Sequence, residues 1–328
     1  MKPNRLALLT CACMVFFSVA LTLNAQPAAI NAVAARNVAA RPTETRSLGD
    51  ARREIYKAIG DLKLSLYILT PSDHKPSDRR PAIVFFFGGG WTGGTPMQFA
   101  PQCRYLASRG MVAITADYRV FGRHGTPVAK CVEDARSAIR WVRVNAARLG
   151  IEPKRIAAGG GSAGGHLAAC TALLTNFDAA SDDLSISCVP DALVLFNPAL
   201  VLAPSDRIET FPPERIERLR GRLGAEPEKL SPLHHVRTGA PPTLILHGKA
   251  DQVVPYRSAE AFAEAMKQAG NRCELVGYDG RGHGFFNYRD ARPADFIATT
   301  REMDQFFASL GWLTGPPTVE RFVKPTDP

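Results

Sequence analysis

The stretch Ile156-Ala157-Ala158-Gly159-Gly160-Gly161-Ser162-Ala163-Gly164-Gly165-His166 limits what this chain can fold into more than any other. A short apolar run stops at glycines, presents one serine and resumes as an Ala/Leu-rich segment, which reads as strand, sharp turn and helix. Gly160-Gly161-Ser162-Ala163-Gly164 satisfies G-x-S-x-G. In that arrangement the serine sits on a strained turn that lifts its hydroxyl above a sheet edge, and the glycines let helix and strand approach closely. Ser162 therefore reads as a nucleophile.

The same glycines also satisfy G-x-G-x-x-G, the fingerprint of a dinucleotide-binding turn, so a nicotinamide-binding oxidoreductase is a rival of another class. That fingerprint calls for an acidic residue about 20 positions on, closing a second strand. Here the corresponding stretch, Asn176 to Asp183, reads as loop. The serine reading in turn requires an acid and a base downstream.

Both are present. Thr243-Leu244-Ile245-Leu246 reads as a strand, and His247-Gly248-Lys249-Ala250-Asp251 follows at its C-terminal edge, where α/β sheets place their chemistry. Asp251 is the candidate acid. After the last strand, Cys273 to Tyr278, His283 stands between Gly282 and Gly284 in a loop and is the candidate base. The order Ser162, Asp251, His283 is that of α/β-hydrolases and differs from those of chymotrypsin and subtilisin. Asp279 is nearer to His283 in sequence but would have to fold back across a glycine-rich loop. His166, one helical turn after Ser162, points along its helix and reads as structural. His247 reads as an anchor of the acid loop, and His74, His124, His234 and His235 stand in no motif.

Around these residues the chain alternates strands and helices. Ile55 to Ala58 and Leu62 to Leu69 flank Gly60-Asp61 and read as a half-buried antiparallel hairpin. Ala82 to Phe87 is continuously apolar, as in a central strand covered on both faces. Met111 to Ala116 is the next strand. A helix follows, with Thr126 as cap, Pro127 in the first turn, an apolar stripe at Val128, Val132, Ala135, Ile139, Val142, Ala146 and Leu149, and Gly150 as stop. Arg155 to Ala158 is the strand feeding Ser162, and Ala192 to Phe196 another, ending in Asn197-Pro198. Residues 258 to 269 read as a helix capped by Ser258, and 295 to 310 as the last helix. Residues 203 to 240 break the rhythm with five prolines and read as a small lid insertion.

The expected organisation is a signal peptide over residues 1–25, a flexible leader over 26–50, one catalytic domain over 51–312 and an irregular tail over 313–328. Lys2 and Arg5 precede an apolar run from Leu6 to Leu23, and Leu23-Asn24-Ala25 offers small-residue cleavage, so an exported protein is expected, periplasmic or extracellular. No later stretch is apolar for long enough to span a bilayer. Removing residues 1–25 lowers the net charge from +9 to +7, and the basic residues are interspersed with acidic ones, which argues against a nucleic-acid partner. Cys103, Cys131, Cys170, Cys188 and Cys273 are odd in number and widely spaced, without a zinc signature; their pairing is open. No cofactor or metal is called for.

Gly88-Gly89-Gly90-Trp91 ends the central strand, and a triple glycine there lets backbone N–H groups point into a cavity, as an oxyanion hole needs. Together with Asp117-Tyr118-Arg119, Gly159 to His166, Ser231-Pro232-Leu233, His247-Gly248 with Asp251, and Gly282 to Phe286, it makes residues 52 to 312 resemble the α/β-hydrolase superfamily. More narrowly the chain resembles the esterase branch related to hormone-sensitive lipase and to bacterial acetyl-xylan and feruloyl esterases. The resemblance implies a mostly parallel sheet with an antiparallel N-terminal hairpin, helices on both faces, no cofactor, and oxyanion donors at Gly89, Gly90 and Ala163. It also implies a serine esterase forming an acyl-enzyme, on short acyl or feruloyl esters of carbohydrate or, alternatively, on general short-chain carboxylic esters. One departure stands out: Phe87 occupies the place where such esterases carry histidine, so packing of Phe87 and Trp91 is expected to hold the oxyanion loop. The same departure motivates a second rival, a catalytically silent binding protein.

Overall fold

The apolar run at Ala82 forms a strand in the middle of the sheet, as its unbroken apolar character predicts. The computed structural model describes residues 48–206, 217, 219 and 221–323. The expected signal peptide, residues 26–47 of the leader and residues 324–328 of the tail lie outside them.

Strands β1 (Arg52–Ile59), β2 (Leu62–Leu69), β3 (Arg80–Phe86), β4 (Val112–Ala116), β5 (Ile151–Gly161), β6 (Ala192–Phe196), β7 (Thr243–Gly248) and β8 (Cys273–Tyr278) form one sheet among the described residues, in the order β1-β2-β4-β3-β5-β6-β7-β8. The β1–β2 and β2–β4 pairs are antiparallel and the others parallel. Gly60 makes the hairpin turn at φ +56°. This is the α/β-hydrolase fold.

Alternation along β3 explains its composition. Ala82, Val84 and Phe86 face one buried cluster, and Ile83 and Phe85 the other. The first cluster is closed by α3 (Val128–Val144), which follows the one-turn α2 (Phe121–His124), and by α4 (Ala163–Leu173) and α6 (Tyr256–Gln268). The second is closed by α1 (Ala100–Ser108) and α7 (Pro293–Ser309). Both faces of the strand are therefore dry, and each buried Val, Ile or Phe contributes about 1.5–3 kcal/mol.

Several boundaries differ from expectation. The seven apolar positions from Val128 to Leu149 are all buried, but α3 ends at Val144 and the chain continues through turns to Gly150 at φ +61°. Thr126 does not cap α3, since Pro127 takes that place and the Thr126 hydroxyl donates to His124 O. Ser258 lies inside α6, donating to Pro255 O, rather than capping it. Strand β5 begins at Ile151, because Arg80 pairs with Ile151 ahead of the main register. Residues 48–50 are not free leader: Leu48 packs on the second cluster and Asp50 pairs with Arg104. Within the tail, α8 (Val319–Val323) forms, and Val319 is fully buried.

The lid expectation narrows. Pro227–Leu230 forms a helical turn, α5, and Leu223, Leu230 and Leu233 are buried in the first cluster, so the C-terminal part of the insertion is core. Residues 207–216 lie outside the described residues.

Candidate active site

Because β3, β5, β7 and β8 run parallel, the loops leaving their C-terminal ends emerge along one edge. Gly88, Ser162, Asp251 and His283 all stand there.

Ser162 joins β5 to α4 with φ 55° and ψ −118°, a conformation that costs a non-glycine residue about 1–3 kcal/mol. The turn is clamped by Ser162 N–H donating to Phe196 O at 2.9 Å and His166 N–H donating to Ser162 O at 3.0 Å. Glycines make the turn possible by close approach. A Cβ on Gly164 would lie 1.9 Å from Phe86 O, and one on Gly161 2.4 Å from the Phe286 ring. Of the fingerprint glycines, Gly159 and Gly164 are pressed against Phe85 and Phe86 of β3, and Gly161 against the Phe286 ring.

The hydroxyl of Ser162 lies 3.0 Å from His283 Nε2, and His283 Nδ1 lies 2.7 Å from Asp251 Oδ2. The structure therefore brings the three sequence-selected residues into one hydrogen-bonded line. Asp279 takes no part: it is exposed and pairs with Lys249 at 2.9 Å.

The Asp251 carboxylate is fully buried. Burial alone would raise its pKa, but hydrogen bonds from His247, His283, Val254 N–H and Asn197 together hold it well below the usual carboxylate range. Oδ1 accepts from Val253 N–H at 2.7 Å and Val254 N–H at 2.9 Å, while Oδ2 accepts from His283 and from Asn197 Nδ2 at 2.6 Å. His247 anchors this loop as expected, with Nε2 2.9 Å from Val254 O and 3.4 Å from Asp251 Oδ2.

His166 is buried beside the site without joining it. Its Nε2–H donates to Leu230 O at 2.7 Å, and Nδ1 accepts from Trp91 Nε1 at 3.3 Å. Burial lowers its pKa to about 4, so it stands as a neutral brace between the glycine loop and α5.

In the glycine loop, Gly89, Gly90 and Trp91 have φ values of 120°, 60° and 56°, which turns successive peptide planes. Gly88 N–H is taken by Gln98 Oε1 at 2.6 Å. Among the described residues the N–H groups of Gly89 and Gly90 donate to no backbone carbonyl, and that of Ala163, opening α4, has no partner within the helix. Gly89, Gly90 and Ala163 line the same pocket of about 470 Å³ as Ser162 and His283. Trp91, Leu219, Val253 and Phe286 give the pocket apolar walls, and Arg222 reaches into it.

Packing does hold this loop, as Phe87 stacks on Tyr118 at 4.1 Å, but packing is only part of it. Tyr118 also donates to Phe87 O at 2.7 Å. The adjoining Arg119 grips buried Asp134 through two nitrogens, at 2.7 and 2.8 Å. Sequence reasoning missed Asn197, Gln98 and Asn287 as parts of the site. Asn197 carried the only local signal, a polar residue at the end of an apolar strand; its φ of 43° shows the turn it makes there.

Residues 66–266 match the BD-FAE family. The chain belongs to the BD-FAE family of α/β-hydrolases. This BD-FAE match contains Ser162 and Asp251 and ends before His283. The chain is 32% identical over 252 residues to esterase LipC of Mycobacterium tuberculosis, covering 71% of this chain and 59% of LipC. It is 28% identical over 239 residues to carboxylesterase NlhH of the same organism, covering 68% of this chain and 72% of NlhH. It thus spans little more than half the length of some curated relatives. The apo form of Thermogutta terrifontis esterase 2 superposes with a TM-score of 0.78 at 51% identity, covering 82% of this BD-FAE chain and 98% of that one. Other structures of that enzyme have propionate bound or are phosphonylated by sarin.

Proposed function

We propose that this chain is a serine carboxylesterase working through an acyl-enzyme. The observation that carries the proposal is the hydrogen-bonded line from Ser162 Oγ through His283 to Asp251, opening on one pocket with the Gly89, Gly90 and Ala163 N–H groups.

His283 Nε2 takes the Ser162 proton as Oγ attacks the ester carbon, and Asp251 keeps the remaining proton on Nδ1. The carbonyl oxygen becomes an oxyanion facing the three N–H groups, each lowering the barrier by about 3–4 kcal/mol. Collapse breaks the bond to the alcohol, which leaves with the proton from Nε2. Water then attacks the acyl-enzyme, giving its proton to His283, and the acid departs as Oγ is reprotonated.

The pocket, about 470 Å³ with apolar walls, has room for an acyl group together with part of the alcohol. The propionate complex of the T. terrifontis enzyme supports a short acyl group. For the alcohol we propose carbohydrate, with acetyl or feruloyl esters as substrates, resting on the motif resemblance described above. Export is proposed from Lys2, Arg5 and the apolar run to Leu23.

Fluorophosphonate treatment followed by peptide mass mapping tests the nucleophile, and acetate and ferulate release from xylan tests the substrate. Label at Ser162 with release supports both parts, and label with turnover of small esters alone sends the alcohol to the general carboxylesterase alternative. The Ser162→Ala variant is expected to lose at least about 10⁴-fold in kcat on an activated acetyl ester. Full activity in that variant would refute the mechanism, and an unlabelled, inactive protein would be a binding protein.

A further inference from the structure

We infer that Gln98 and Asn287 act as positioning residues that couple the oxyanion loop to the histidine loop. The inference rests on the esterase reading above. Gly88 N–H donates to Gln98 Oε1 at 2.6 Å, Gln98 Nε2 donates to Asn287 Oδ1 at 3.0 Å, and Asn287 Nδ2 donates to Gly284 O at 2.8 Å. One end of this relay is the residue before the proposed oxyanion donors Gly89 and Gly90. The other is the residue after His283. The two side chains are 189 positions apart in sequence, and both line the pocket.

The direction of the relay is fixed at its ends. A backbone N–H can only donate, so Gln98 must present its oxygen to Gly88, and a backbone carbonyl can only accept, so Asn287 must present its amide nitrogen to Gly284. The amides between are therefore locked in one orientation, and bonds aligned head to tail polarise one another. Arms carrying the oxyanion donors and the base must keep a fixed separation, because proton transfer and oxyanion formation occur around one carbon. The relay ties those arms directly. It also gives the glycine loop one hydrogen bond, at Gly88 N–H, beside Phe87, whose side chain has no donor or acceptor.

A positioning role differs from substrate contact and from bulk in what it changes. Gln98→Ala and Asn287→Ala should each lower kcat about tenfold, the value of one lost hydrogen bond in the transition state, with KM within about twofold. Gln98→Glu keeps the shape and the Gly88 bond but sets a carboxylate oxygen against Asn287 Oδ1, so it should lose about as much as Gln98→Ala. The double variant should be no slower than the worse single one, since either change breaks the same link. Multiplied losses, a raised KM at unchanged kcat, or full activity in Gln98→Glu would each overturn the inference.

Hydrogen exchange separates failure of the relay from failure of the esterase reading, because it needs no turnover. In Asn287→Ala, peptides covering residues 87–95 should exchange faster, and in Gln98→Ala so should those covering 282–288. Exchange unchanged in the opposite loop would refute the coupling. Activity surviving in Ser162→Ala would instead refute the mechanism while leaving an exchange coupling intact.

Discussion

Asp251→Asn should disable the site by reversing the histidine proton while hardly changing the size of the side chain. Asp251 Oδ1 holds Val253 and Val254 N–H groups, which demand an acceptor. In the variant the amide oxygen must stay there, and the NH₂ group takes the place of Oδ2, facing His283 Nδ1 and Asn197 Nδ2. His283 can then satisfy its neighbour only by accepting at Nδ1, which puts its proton on Nε2. That proton faces Ser162 Oγ, 3.0 Å away, so the base is lost. A wrong tautomer in a Ser-His-Asp site costs about 10⁴ in kcat, equivalent to about 5.5 kcal/mol of barrier. Asn197, whose Oδ1 has no partner among the described residues, can turn its amide to meet the new NH₂, so a charge-assisted bond becomes a neutral one and stability should fall by no more than about 1.5 kcal/mol. Initial rates on an activated acetyl ester near neutral pH, with urea unfolding of the same preparation, measure both effects. Retention of more than a tenth of wild-type kcat would refute the reasoning, as would a larger loss in the control Asp279→Asn, whose carboxylate only pairs with exposed Lys249.

Two further perturbations test the scaffold. His166 has its pKa lowered from 6.5 to about 4 by burial, so between those values the unfolded chain binds a proton that the folded one refuses. Stability should therefore fall as pH drops through that window, by about 2 kcal/mol from pH 7 to pH 5, and His166→Gln, which can keep both hydrogen bonds, should lose this component in urea titrations at the two pH values. Gly164→Ala would place a methyl 1.9 Å from Phe86 O in the backbone of the central strand, whereas Gly60→Ala meets nothing within 4 Å and has only its φ of +56° to overcome. Chemical denaturation should show a loss of at least about 3 kcal/mol for the first and about 1–2 for the second. Equal losses would mean that close packing of turn on strand is not what the elbow glycines provide.

The strands and the selection of Ser162, Asp251 and His283 were legible because their signals are local. Continuous apolar runs mark strands covered on both sides, and glycines bracket the serine and the histidine. Helix ends were less legible, since Thr126 and Ser258 carry capping side chains but the chain placed Pro127 and Pro255 at the boundaries and used the hydroxyls to bond nearby carbonyls. The proline-rich insertion read as a lid throughout because proline spacing reports broken periodicity and not burial. In the fold, Leu230 and Leu233 are core, and Leu230 O receives the His166 proton.

By itself the sequence determined the strand–turn–helix at Ser162, the order of nucleophile, acid and base, and the glycines that free backbone donors. Each depends on residues adjacent in the chain or on the pleat of one strand. Only the tertiary structure decided that His166 is held neutral between Trp91 and Leu230 O, and that Asn197, Gln98 and Asn287 complete the site. These are matters of which loops leave the same edge of a parallel sheet and how far apart they stand. Strand order sets that, by bringing to one edge side chains as far as 189 positions apart, and nothing near those residues in the chain records it.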